Sequence, residues 1–84
     1  MSHHYTISGS VSYGEYTIDI YHSSDADAID MSLVESLMEH SVQNLQPRML
    51  TATLIAAFND ILKIDIKDNQ NNIVLTTEID PHIE

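Results

Sequence analysis

The side chains in this chain that could ligate a metal or move a proton are five histidines and thirteen carboxylates, and its 84 residues include no cysteine. His3 and His4 stand beside the amino terminus, where a terminal amine and an imidazole can hold copper or nickel in a tetragonal set of nitrogens. The plainer alternative for them is a polar tail. His22, His40 and His82 stand alone, without the i, i+4 or cysteine-paired spacing of a zinc site, and are expected to serve surface or interface packing. Asp25, Asp27 and Asp30 open like a calcium loop, which sets carboxylates at alternate positions to wrap a hard cation in oxygen. The pattern then fails, with Ile29 at the fifth position, Asp30 in place of the turn glycine and Ser36 in place of the closing glutamate. Residues 68–72 fail in the same way, with Ile79 where that glutamate belongs. No metal and no cofactor is expected.

Catalysis needs a nucleophile beside a base, or two carboxylates in environments that separate their pKa values. The serines, histidines and aspartates here stand in no strand-to-helix elbow or comparable context. A domain this small also has little volume left for a pocket once its core is filled. The chain is therefore expected not to be an enzyme.

What remains is the arrangement of negative charge. Glu35 and Glu39 are four residues apart, so on a helix they are neighbours on one face, which Ser32 and Gln43 share. With Asp25, Asp27 and Asp30 ahead of them they form a one-signed patch, and no lysine or arginine occurs before Arg48. The helix dipole accounts for aspartates near a helix start. It does not account for Glu39 or for the missing cations.

The net charge of -10 repels nucleic acid and anionic membrane and draws in basic protein surfaces. Its plain alternative is solubility. A basic protein surface is thus the expected partner, with no direct nucleic-acid binding and no membrane association. The absence of cysteine fits a reducing interior. The opening residues lack the cationic start and apolar run of a secretory signal, and no apolar run approaches the length of a membrane span. A cytoplasmic location is expected.

The elements that must carry these residues follow from periodicity. Tyr5, Ile7, Gly9, Val11 and Tyr13 alternate with polar residues from His4 onward, predicting a strand with those five on its apolar face. Gly9 marks a bulge or a close approach of another element. Gly14 then supports a hairpin turn over residues 13–15, and Tyr16, Ile18 and Ile20 continue as a second strand. A helix begins within residues 23–30, capped by Ser32, Asp30, Asp27 or Ser24. Its core stripe is read as Ile29, Leu33, Leu37, Met38, Ser41 and Leu45. Pro47 separates it from a second helix, expected to lie antiparallel beside it and to run to about Asn59.

That second helix contains MLTATLIAAF, residues 49–58, apolar or threonine throughout. A segment so greasy around its circumference is expected to be covered by other elements. Leu62, Ile64 and Ile66, then a turn over residues 68–72, then Ile73, Leu75, Thr77 and Ile79 predict a second hairpin. The alternative, a helix continuing through Lys67, fits the period of two less well. Pro81 ends the last strand, leaving residues 1–3 and 81–84 as loose termini.

Eighty-four residues with 43% apolar content and only two glycines and two prolines make one globular domain, residues 1–84. The predicted class is α+β in the order ββααββ, an antiparallel sheet of about four strands with two helices packed on one face. The expected function is a small acidic protein-binding module, an inhibitor or decoy of phage or immunity type acting on the basic surface of a nucleic-acid-binding protein. Its partner-binding residues are Asp25, Asp27, Asp30, Glu35 and Glu39. The alternative is a structural protein acting as a homodimer or larger homo-oligomer, motivated by the apolar second helix.

Overall fold

The computed structural model of the chain describes residues 5–41 and 44–79. His3, His4, Gln43, Pro81, His82 and the expected loose termini lie outside them. The elements are β1 (Tyr5–Tyr13), β2 (Tyr16–Ser23), α1 (Met31–Glu39), α2 (Pro47–Ala57), β3 (Ile61–Lys67) and β4 (Ile73–Glu78). The strands form one antiparallel sheet in the order β1-β2-β3-β4, so the central pair joins the two ends of the chain. This is the α+β, ββααββ architecture that the periodicity predicts.

Both hairpins close as their turn residues dictate. Gly14 takes φ +60° at the first central position of a two-residue turn between Tyr13 and Tyr16, a conformation that glycine adopts at little cost. In the second turn Asp68 Oδ1 accepts from the backbone N–H of Gln70 and of Asn72, each at 2.9 Å, and Asn71 takes φ 69°.

One side of the sheet and both helices share a single core, in which Ile18, Ile20, Val34, Leu50, Leu54, Ile64 and Ile66 have no exposed surface. α1 packs on β1, and α2 packs on β3 and β4. The two helices therefore lie over different parts of the sheet, and the sheet, more than the expected helix-to-helix contact, holds each in place.

The register departs from strict alternation at Ser8, where the pairing steps from Ile7–Tyr21 to Gly9–Ile20. The extra residue reverses the facing of what precedes it, so Ile7, expected on the apolar face, is 49% exposed. Gly9 fulfils both roles read for it. It borders the bulge, and a Cβ there would lie 2.7 Å from Met31 Cγ of α1.

The bulge also turns Ser8 toward His22. Ser8 Oγ lies 2.5 Å from His22 Nδ1 and accepts from Ile29 N–H at 3.1 Å. His22 is buried on the core side, not at a surface or interface as expected, and Ser8 gives its Nδ1 a hydrogen-bond partner inside the fold.

α1 differs from its predicted stripe. It buries Val34 and Met38, while Leu33 is 57% exposed. The helix ends at Glu39, where the Ser41 N–H turns to Met38 O and nearby side chains bond the preceding carbonyls. His40 Nδ1–H donates to Ser36 O at 2.7 Å, and Ser41 Oγ–H donates to Leu37 O at 2.7 Å. Ser41 and Leu45 are thus off the helix, and the buried face centres on the i, i+4 pair Val34 and Met38.

α2 starts at Pro47, after an extended Gln46. It is not covered around most of its circumference, contrary to expectation. Leu50, Thr51 and Leu54 are buried, whereas Met49, Ala52, Ala56 and Ala57 are exposed. Alanine exposes so little apolar area that a surface tolerates it, and only the leucine side of the helix needs a partner.

Candidate functional site

α1 is fixed against β1 at both ends. Asp30 caps its start, with Oδ1 accepting from Ser32 N–H at 3.0 Å and from Ser32 Oγ–H at 2.6 Å. Met31 sits on Gly9, and beyond the helix Leu45 N–H donates to the Tyr13 hydroxyl at 3.2 Å. The helix therefore runs alongside β1 in the same sense, with its buried residues on the sheet and its outward residues along the flank.

This placement leaves an open cleft of about 680 Å³ between helix and strand, with Ser10, Ser12 and Gly14 on one wall and Glu35, Met38 and Glu39 on the other. A second recess of about 350 Å³ shares Tyr13, Gly14 and Asn44 with it and brings Glu15 to the same end. Glu15, Glu35 and Glu39 are exposed. No lysine or arginine lines either recess, so the field in the cleft is of one sign.

The five carboxylates picked out by sequence thus divide. Glu35 and Glu39 share the cleft. Asp25 and Asp27 are exposed on the connection from β2 to α1, and Asp30 is engaged as the helix cap. The bonds from the Ser32 hydroxyl and then from the Ser32 backbone hold the Asp30 carboxyl below the ordinary carboxylate value. None of these three lines the cleft.

A second constellation, which sequence reasoning missed, lies on the sheet face away from the helices. Asp19 and Asp65 stand opposite each other on β2 and β3. Asp19 Oδ1 accepts from Ser10 Oγ–H at 2.5 Å, and its Oδ2 lies 3.0 Å from Lys67 Nζ. The hydrogen bond that Lys67 donates to Asp19 and then the charge of Asp19 raise the Lys67 ammonium above the usual lysine value. Asp65 Oδ2 is 3.9 Å from Lys63 Nζ, which also lies 5.0 Å from the centre of the Tyr21 ring.

With Leu62, Ile64 and Ile66 set on one face by the period of two, Lys63, Asp65 and Lys67 fall on the other. What the sequence did not contain was the β2–β3 adjacency that brings Asp19 to them. Lys67 pairs with Asp19 across the two strands and Lys63 with Asp65 along β3, so two lysines flank carboxylates that face each other. Among the described residues no three histidine, aspartate or glutamate side chains converge as a metal site would require, and no helix is long and apolar enough to cross a membrane. No protein-family model, curated protein or solved structure matches the chain.

Proposed function

We propose that the protein is a non-enzymatic binding module that presents the acidic flank of α1 to a basic surface on another protein, acting as an inhibitor or decoy of a nucleic-acid-binding protein. The observation that carries this reading is the position of Glu35 and Glu39 along an open cleft with no cation on its walls. A carboxylate pair that served only solubility has no need of a concave setting, whereas a cleft of one sign concentrates its field on an incoming cation. Asp25 and Asp27 extend the same sign toward the start of the helix and would act at longer range, guiding encounter more than holding the complex.

The test is capture from native lysate by wild type and by the Glu35→Lys/Glu39→Lys variant, at low and at high salt. A protein that elutes with salt from the wild type and is missing from the variant supports the reading. Identical captures from both would reduce the acidic flank to a solvated face.

Homo-oligomerisation is the second reading, favoured by one feature of the other sheet edge. β4 exposes Ile73 and Val74, and the outer side of α2 exposes Met49, so β4 and the α2 packed on it carry the large exposed apolar side chains among the described residues of the C-terminal half. Sedimentation at micromolar protein decides it, since a monomer there excludes a functional oligomer.

A further inference from the structure

We propose that the cleft takes its partner as an added β-strand: an extended basic segment, cationic at alternate residues, pairs with the outer edge of β1 while its cations meet Glu35 and Glu39. This rests on the acidic-flank reading above and states how the partner is held.

β1 is an edge strand, and its regular part is residues 9–13, beyond the bulge at Ser8. The two-residue turn makes Tyr13–Tyr16 a hydrogen-bonded pair, so Val11–Ile18 is the next one. Ser12 and Ser10, paired with Thr17 and Asp19, fall in the intervening positions, whose backbone N–H and C=O point away from β2. Among the described residues no strand pairs with that edge, and Ser10 and Ser12 form one wall of the cleft. The polar backbone groups of an open edge are a template for another extended chain.

The opposite wall selects what that chain carries. Along α1, Glu35 and Glu39 are separated by about 6 Å of axial rise, and alternate side chains of a strand recur every 6.6 Å or so. Because α1 runs alongside β1, successive core-side residues of an added strand come level with Glu35 and then Glu39. A cation at each of those positions satisfies both, and Glu15 extends the preference beyond Gly14.

A second copy of this chain fits the edge poorly, because it would bring its own Glu15, Glu35 and Glu39 against the first set. The other edge, β4, is interrupted by the register shift at Val74, and neither recess is lined by any of its residues.

The probe is an acetylated, amidated nine-residue peptide that alternates arginine and threonine, together with two backbone N-methylated forms, one methylated at the threonines and one at the arginines. Methylation removes the pairing donors and leaves the charge intact. Strand addition predicts binding that weakens about tenfold or more in the Glu35→Lys/Glu39→Lys variant. It also predicts binding that is lost in one methylated series and kept in the other, and about tenfold slower amide exchange at Ser10 and Ser12 on peptide addition. Ser12→Pro, which removes an outward N–H where an edge tolerates proline, should abolish binding. The methylated peptides carry the same test should that variant fail to fold.

If both methylated series bind like the parent while charge reversal still weakens binding, strand addition is overturned and the acidic-flank reading stands. If the unmodified peptide does not bind wild type at all, both fall. Protection of Ser10 and Ser12 that rises with protein concentration in the absence of peptide would assign the edge to a second copy and overturn the proposal.

Discussion

Asp19 and Asp65 face each other across the β2–β3 pair on the side of the sheet away from the helices, and each is only 6% exposed. Two carboxylates in direct cross-strand register repel, and the lysines offset this unequally. Lys67 stands 3.0 Å from Asp19, Lys63 stands 3.9 Å from Asp65, and Asp65 Oδ1 has no hydrogen-bond partner among the described residues. Asp65 is therefore the weaker member of the pair.

Neutralising that member should stabilise the fold. Asp65→Asn removes the like-charge contact and supplies an amide donor beside Asp19, for an expected gain of about 0.5 to 1 kcal/mol. Asp19→Asn strips Lys67 and Ser10 of their partner and should lower stability. Urea unfolding midpoints at constant slope compare the two. A destabilised Asp65→Asn would mean that attraction to Lys63 outweighs repulsion from Asp19.

Gly9 is required for space, not for backbone conformation. A methyl group there would lie 2.7 Å from Met31 Cγ, and because methionine can re-pack, Gly9→Ala should cost about 1 to 2 kcal/mol. In a Met31→Ala background the added methyl has room, so the cost should shrink, with a coupling energy above about 0.5 kcal/mol. A double-mutant cycle by urea unfolding reads this directly. Additive effects would place the strain elsewhere in the β1 bulge.

The same contact shows what the sequence could reveal. A lone glycine in an alternating strand signals either a bulge or a close neighbour, and both are present. Alternation likewise specifies all four strands, and Gly14 and the run Asp68 to Asn72 specify their turns, because these signals are local. The facing of Ile7 was not legible, since it depends on an extra residue at Ser8 whose hydroxyl is used by His22 and Ile29, neither adjacent in sequence. The end of α1 was missed because the apolar spacing continues to Leu45 while His40 and Ser41 close the helix from the side. Of the candidate site, Glu35 and Glu39 were legible from their spacing. The cleft beside them was not, because it exists only once α1 is set against the edge of β1.

Leu33 and Leu54 test how α1 and α2 divide between solvent and core. Leu33, in the predicted stripe, is 57% exposed, and Leu54 is fully buried. Leu33→Ala should change stability by no more than about 0.5 kcal/mol, while Leu54→Ala should cost about 2 to 5 kcal/mol. Thermal unfolding separates effects of that size. Comparable losses would mean that α1 packs through the face centred on Leu33.

Thr51 lies on the buried side of α2, and its hydroxyl has no hydrogen-bond partner among the described residues. Thr51→Val keeps the shape and removes the unpaired group, so it should raise stability by about 1 kcal/mol. The two residues have similar helix propensity, which leaves the hydroxyl as the difference. Chemical denaturation measures the gain, and a loss would show that the hydroxyl finds a partner in solution.

Asp30 links the start of α1, and with it the cleft wall, to pH. Its carboxyl is held below the ordinary value of 3.8 by the bonds from Ser32. A group whose pKa is lower in the folded than in the unfolded chain stabilises the fold above the unfolded value, and that contribution is lost as pH falls through the folded value. The stability gap between wild type and Asp30→Ala should therefore be full at neutral pH and close on acidification below 3.8. Asp30→Asn, which caps without titrating, should keep a constant advantage over alanine through the same range. Urea midpoints collected from about pH 3 to pH 7 resolve the three curves. A wild-type advantage that widens in acid would mean that the Asp30 carboxylate does not act through the cap, and α1 would then owe its fixed start to the Met31–Gly9 contact and the Ile29–Ser8 hydrogen bond.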